Sequence, residues 1–247
     1  METNSQTKIY QPGYYGKKRP AAAEWADMYI RKYSKEEMDK KQIDKKADFL
    51  PAVCISRQIG VGALEIADLL SEIIHHRVID REILEHMAKD TKLSQKMIEF
   101  YDERYPGRSS ELFSMLISEK TFIKSDYGRQ LIKTVTALAC SEPTIFVGRG
   151  AHLILPRNTI LSVRFICSRD FRVDRLARMM NIGKSEAERQ LEVFDAEQHQ
   201  FFKAVYQKKE TTLDEFDLII NMDHIKGPYQ AAVIVACAFE QKFGLKK

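Results

Sequence analysis

Five short apolar runs constrain this chain more than any other feature: "AVCIS", "RVID", "TIFVG", "SVRFICS" and "FDLIIN". Unbroken apolarity with β-branched residues suits strands buried on both faces. Longer stretches of helical periodicity separate the runs. Strands alternating with helices imply right-handed crossovers into a parallel sheet. The pattern predicts a three-layer α/β fold around a parallel sheet of about five strands, without internal repeats or low-complexity tracts.

The helix after the first run carries Ile66, Leu69, Leu70, Ile73 and Ile74 at three-and-four spacing, with Asp68, Ser71 and Glu72 on the other side. One face is expected to pack on the sheet. Residues 82–139 read as a helical insertion broken at "RYPGRSS", where Pro106 and Gly107 mark a turn. Near the end, "YQAAVIVACAFEQKF" is apolar almost all round and either closes the core or meets a partner, so an oligomer is possible. Residues 1–47 form a polar extension with one amphipathic helix around "AAAEWADMYIRKY", read as a solvated arm or a helix packed on the domain surface, leaving residues 48–247 to carry the fold.

Composition removes several function classes. No apolar stretch reaches the ~20 residues of a bilayer crossing, and the N-terminus lacks the apolar segment of a secretory signal, so a cytoplasmic protein is expected. The four cysteines are scattered without a C-x-x-C pair, which suggests neither a disulfide framework nor a zinc site. A net charge of +4 is too slight and too evenly spread for a nucleic-acid binder. Neither G-x-S-x-G nor H-E-x-x-H occurs, and the histidines, His152 among them, show no metal-ligand spacing and are assigned structural roles.

What remains is anion chemistry at strand ends. "ISRQIGVGALEIA", residues 55–67, places Gly60 and Gly62 between a strand and a helix, where the main chain of Gly60, Val61, Gly62 and Ala63 can approach phosphate oxygens. A Walker A loop would continue with lysine and a hydroxyl. Ala63 stands after the second glycine instead, and Glu65 lies in the first helical turn, where it favours the dipole but would repel a triphosphate unless a cation intervened. Arg57 can supply charge from within the loop. Arg149, between Gly148 and Gly150 after "TIFV", suits bidentate phosphate binding at a strand end. Arg172, Arg175 and Arg178 step along one helix side opposite Val173, Leu176, Ala177 and Met180, and the first two are the phosphate candidates. Asp80 either orients an acceptor or caps the helix "REILEHMA".

In order along the chain, "ISRQIGVGALEIA", "VIDREIL", "IFVGRGAHLIL", "FRVDRLARMMNIGKSEAERQLEVFDAEQHQFF" and "FDLIINMDHI" resemble the segments of the cytidylate kinase-like family, a nucleoside monophosphate kinase branch of the P-loop kinases. The resemblance spans roughly residues 52–240 and implies a P-loop kinase-like fold with a lid at about 170–210. It implies ATP with Mg2+ as donor and a pyrimidine monophosphate such as CMP as acceptor, bordered by Asp80, Arg81 and Arg149. Close relatives carry a glycine-arginine pair where this chain has Ala63 and Leu64, and an arginine where it has Gln198. These departures set a second possibility beside the kinase: a catalytically deficient nucleotide-binding protein with a regulatory or scaffolding role.

Overall fold

The computed structural model describes residues 15–17, 19–38, 49–90, 92, 95 and 125–244. All five apolar runs are strands: β1 (Ala52–Arg57), β2 (Arg77–Ile79), β3 (Thr144–Val147), β4 (Ile160–Ile166) and β5 (Leu218–Asn221). They form one parallel sheet in the order β2-β3-β1-β4-β5. Every residue of the central β1 is buried, whereas the edge strand β5 is largely half-buried. Successive β1 side chains alternate between two cores, Ala52 and Cys54 entering one and Val53 and Ile55 the other. An unbroken apolar sequence is what two covered faces require.

One face is covered by α2 (Ala63–Ile74), which lies beside the C-terminal helix Pro228–Phe243. The other is covered by α1 (Ala22–Met38), α3 (Arg81–Lys89), α4 (Asp126–Ser141) and the short α5 (Ala151–Ile154). The lid is a helical hairpin, α6 (Arg169–Met180) and α7 (Lys184–Tyr206), closed by its own apolar contacts among Val173, Leu176, Ala187 and Leu191. The C-terminal helix is α8. The turn expected at Pro106 and Gly107 lies outside the described residues.

One local expectation changes. Asp68 is buried rather than outward-facing, because the segment before α1 lies over it: Tyr15, Lys17 and Arg19 all engage its carboxylate. Ala26 and Tyr29 of α1, from the stretch set apart by composition, are buried in the core. The C-terminal helix docks by one face only. Ala231, Ala232, Val235, Ala236 and Phe239 are buried, while Tyr229, Val233 and Cys237 are exposed at four-residue spacing. No helix among the described residues is long and apolar enough to cross a membrane.

Candidate active site

The loop between β1 and α2 is shaped by its glycines and roofed by the lid. Gly60 and Gly62 both have positive φ, 86° and 89°. Gly62 is the N-cap residue of α2, and no side chain among the described residues caps that helix, the kind of terminus that can receive an anion. A Cβ on Gly60 would stand 3.2 Å from the Cβ of Arg172, and one on Gly62 would stand 2.7 Å from Nε of Arg175. The lid helix α6 therefore rests directly on the loop. Val61 and Ala63 are buried and can contribute only main chain.

The cation that Glu65 needs is Arg175. Its Nη2 donates to Glu65 Oε2 at 2.7 Å, and Nη1 lies 2.9 Å from the sulfur of Met179. A guanidinium reaching across from the lid thus lies over Gly62, after which the Walker pattern would place a lysine. Arg178, by contrast, is exposed and, among the described residues, bonds only within its helix, to the Asp174 carbonyl at 3.2 Å.

One face of α7 then meets three arginines from three different elements. Asp195 accepts from Arg172 Nη1 with both oxygens, at 3.0 and 2.8 Å. One turn on, Gln198 Oε1 accepts from Arg57 Nη1 at 2.6 Å. Phe201, a further turn on, presents its ring 3.9 Å from the Arg149 guanidinium carbon. The three-residue spacing puts all three contacts on one side of the helix. Arg57, Arg149 and Arg172, remote in sequence, are brought together by it.

Arg149 sits in a tight turn. Gly148, Arg149 and Gly150 all have positive φ, at 88°, 51° and 70°. For arginine this conformation costs about 1–2 kcal/mol, and surrounding bonds hold it: Gly148 N donates to the Ile55 carbonyl at 2.9 Å, and the Tyr206 hydroxyl donates to the Arg149 carbonyl. The guanidinium pairs with Glu85, which also lies 3.2 Å from Arg81 Nε. Burial lowers the Arg149 pKa, opposed by Glu85. A cavity of about 190 Å³ opens here, bordered by Arg57, Arg81, Arg149, His152, Gln198 and Phe201.

Asp80 shows one of its two expected roles. It is the N-cap of α3, accepting from Ile83 N at 3.0 Å, and Arg19 approaches its other oxygen at 3.6 Å. The sites of an anion and of a metal differ in fit. Nε of Arg149 and of Arg172 has no hydrogen-bond partner among the described residues, and these guanidinium groups with the uncapped α2 terminus give the cleft a positive character that suits phosphate oxygens. For magnesium the fit fails: the first turn of α2 offers Ala63 and Leu64 where a hydroxyl is needed, and Glu65 is engaged by Arg175. No group of three or more His, Cys, Asp and Glu among the described residues could hold a metal ion.

The family model described as "Cytidylate kinase-like family" matches residues 52–224, covering all five strands, the loop and the lid. The chain belongs to the cytidylate kinase-like family. Among solved structures, an uncharacterized protein from Eubacterium ventriosum is similar with a TM-score of 0.57 at 18% identity, over 77% of this chain and 98% of its own. A shikimate kinase from Bacteroides thetaiotaomicron aligns at 13% identity over 79% of this chain and 99% of its own, with a TM-score of 0.39. No curated protein matches the chain by sequence.

As a member of the cytidylate kinase-like family, the chain has the P-loop kinase fold and is nucleotide kinase-like. Residues that sequence reasoning passed over complete its cleft: Glu85, Phe201, Tyr206 and the pair His152–Glu215. His152, expected to have a structural role, is buried, lies 3.2 Å from Glu215 and borders the cavity. Its position two residues past Gly150, at the carboxyl end of β3, was the available signal.

Proposed function

We propose that this protein transfers the γ-phosphate of ATP to a nucleoside monophosphate such as CMP, with magnesium carried by the ATP phosphates rather than by a protein side chain. The observation that carries this reading is the convergence of Arg57, Arg149, Arg172 and Arg175 on the strand ends beside the uncapped N-terminus of α2. Phosphoryl transfer asks mainly for alignment and for positive charge on the equatorial oxygens. Arg172 and Arg175 border the loop and serve the donor phosphates. Arg149 and Arg81, with Asp80 fixing the start of α3, serve the acceptor. Arg175 supplies over Gly62 the charge that the loop lysine would have provided. Purified protein with ATP, magnesium and a panel of nucleoside monophosphates should yield a diphosphate, at a rate that falls about 100-fold or more in Arg149→Ala.

A second reading is favoured by a specific feature: each of the four arginines already has a protein partner, in Gln198, Glu85, Asp195 and Glu65. On this reading the cleft binds a nucleotide as a regulatory or scaffolding signal without turning it over. A nucleotide-dependent rise in melting temperature with no diphosphate product decides for it.

A further inference from the structure

His152 and Glu215 form a polarised pair at the wall of the arginine cavity. One Glu215 oxygen, Oε1, accepts three donors: Lys208 Nζ at 2.8 Å, Thr212 N at 2.6 Å and Thr212 Oγ1 at 2.9 Å. Burial raises the carboxyl pKa, but the bond with His152 and then those from Lys208 and Thr212 outweigh it and hold the carboxyl well below the usual carboxylate range. The other oxygen, Oε2, stands 3.2 Å from His152 Nε2. An ionised carboxylate can only accept, so Nε2 carries the proton and Nδ1 carries the lone pair. Nδ1 makes no hydrogen bond with the described residues, and the space that the buried His152 borders is the cavity of Arg57, Arg81 and Arg149. The charged groups facing His152 are Glu215, Lys208 and Arg157, with the cavity arginines beyond.

A base oriented by a carboxylate has no task toward a phosphate acceptor, which has largely lost its second proton by neutral pH, its pKa being about 6. An alcohol does need a base. The cavity wall also carries three arginines against the two carboxylates Glu85 and Glu197, a surplus suited to one anionic group. We propose that His152 is a general base for a hydroxyl acceptor, and that the cavity takes an alcohol bearing a carboxylate or phosphate as a phosphoryl acceptor. The acceptor O–H bond breaks and its proton passes to Nδ1. The oxygen bonds to the γ-phosphorus of ATP as the bond to the β,γ-bridging oxygen breaks, releasing ADP. This rests on the cleft being a phosphoryl-transfer site, but not on the acceptor named above.

The test uses the full chain with ATP and magnesium and, separately, D-glycerate, glycerol 3-phosphate, glycerol and CMP, with products read by 31P NMR. A new ester signal from glycerate or glycerol 3-phosphate, much weaker from glycerol, is expected, and which of the two acceptors reacts distinguishes the anion. His152→Gln should lower ester formation about 100-fold or more and abolish the acid limb of the rate profile, while nucleotide still raises the melting temperature. Glu215→Gln, a second variant should the first fail to fold, should shift that limb to lower pH. A CMP phosphoanhydride with no ester overturns this proposal and leaves the proposed function standing. Nucleotide binding without any product overturns both. Ester formation with an unchanged acid limb in both variants removes His152 from the chemistry.

Discussion

Gln198 and Arg57 are joined at two points: Arg57 Nη1 donates to Gln198 Oε1 at 2.6 Å, and Gln198 Nε2 donates back to the Arg57 carbonyl at 3.3 Å. Relatives are expected to carry an arginine at the lid position. Here the amide instead holds an arginine supplied by β1, so the cation beside the loop comes from the strand and a second one from the lid would repel it. In this chain Gln198 of the lid and Arg57 at the end of β1 form one arrangement.

From that arrangement, Arg57→Ala should weaken nucleotide binding more than Gln198→Ala, because one removes the charge and the other only its orientation. Gln198→Ala should cost about 0.5–1.5 kcal/mol of binding. The double variant should bind no worse than Arg57→Ala by more than a few tenths of a kcal/mol, since the amide acts through the guanidinium. Calorimetric titration of the four proteins with ATP measures the coupling, and additive losses would show that the two side chains act separately.

Glu65→Gln should tighten ATP binding roughly tenfold, about 1.4 kcal/mol. The substitution removes a negative charge from the first turn of α2 and releases Arg175, whose Nη2 now spends its bond on that carboxylate. The same change should lower stability by about 0.3–1 kcal/mol through the helix dipole. Opposite signs in affinity and stability are the signature to look for. If affinity is unchanged, phosphate does not meet the Gly62 bend.

The sheet was legible in the sequence because burial on both faces leaves a mark that needs no tertiary information: β1 can be read from "AVCIS" alone. The placement of Gly60, Gly62 and Arg149 at strand ends followed from the same logic. What could not be read was pairing across the chain. Nothing in the spacing of Arg175 and Glu65, 110 positions apart, announces an ion pair. Nor could the burial of Asp68 be foreseen, since the groups that satisfy it come from Tyr15, Lys17 and Arg19, in a stretch whose polarity suggested solvent. His152 was passed over because its partner, Glu215, lies 63 positions on, in a short 3₁₀ turn without a strong pattern.

Gly150→Ala should be strongly destabilising, by about 2–4 kcal/mol. Its φ of 70° disfavours a side chain, and a Cβ there would lie 2.6–2.8 Å from the ring and hydroxyl of Tyr206. That ring is buried and its hydroxyl donates to the Arg149 carbonyl, so it cannot swing aside without releasing the turn. Tyr206→Phe, which keeps the ring and loses the bond, should cost only about 0.5–1.5 kcal/mol. Denaturant titration of the two variants compares the terms, and a Gly150→Ala protein as stable as wild type would mean that the ring has room to move.

Stability should fall as pH drops from 7 toward 5. His152 and His76 are both buried, and burial lowers both pKa values, opposed by hydrogen bonding to Glu215 in the first and to the Ile74 and Pro51 carbonyls in the second. Above the unfolded value of about 6.5 both residues are neutral in either state and the native fold is at full strength. Below it the unfolded chain binds protons that the native protein does not. Each histidine then removes up to about 1.4 kcal/mol per pH unit until its own lowered pKa is reached. Glu215, whose pKa is also lowered, adds a further loss below its ordinary 4.5. Unfolding free energies from urea titrations at half-unit steps should therefore slope downward between pH 6.5 and 5, and His152→Gln should remove about half of that slope. A flat wild-type profile across this window would mean that neither imidazole is kept neutral by its surroundings.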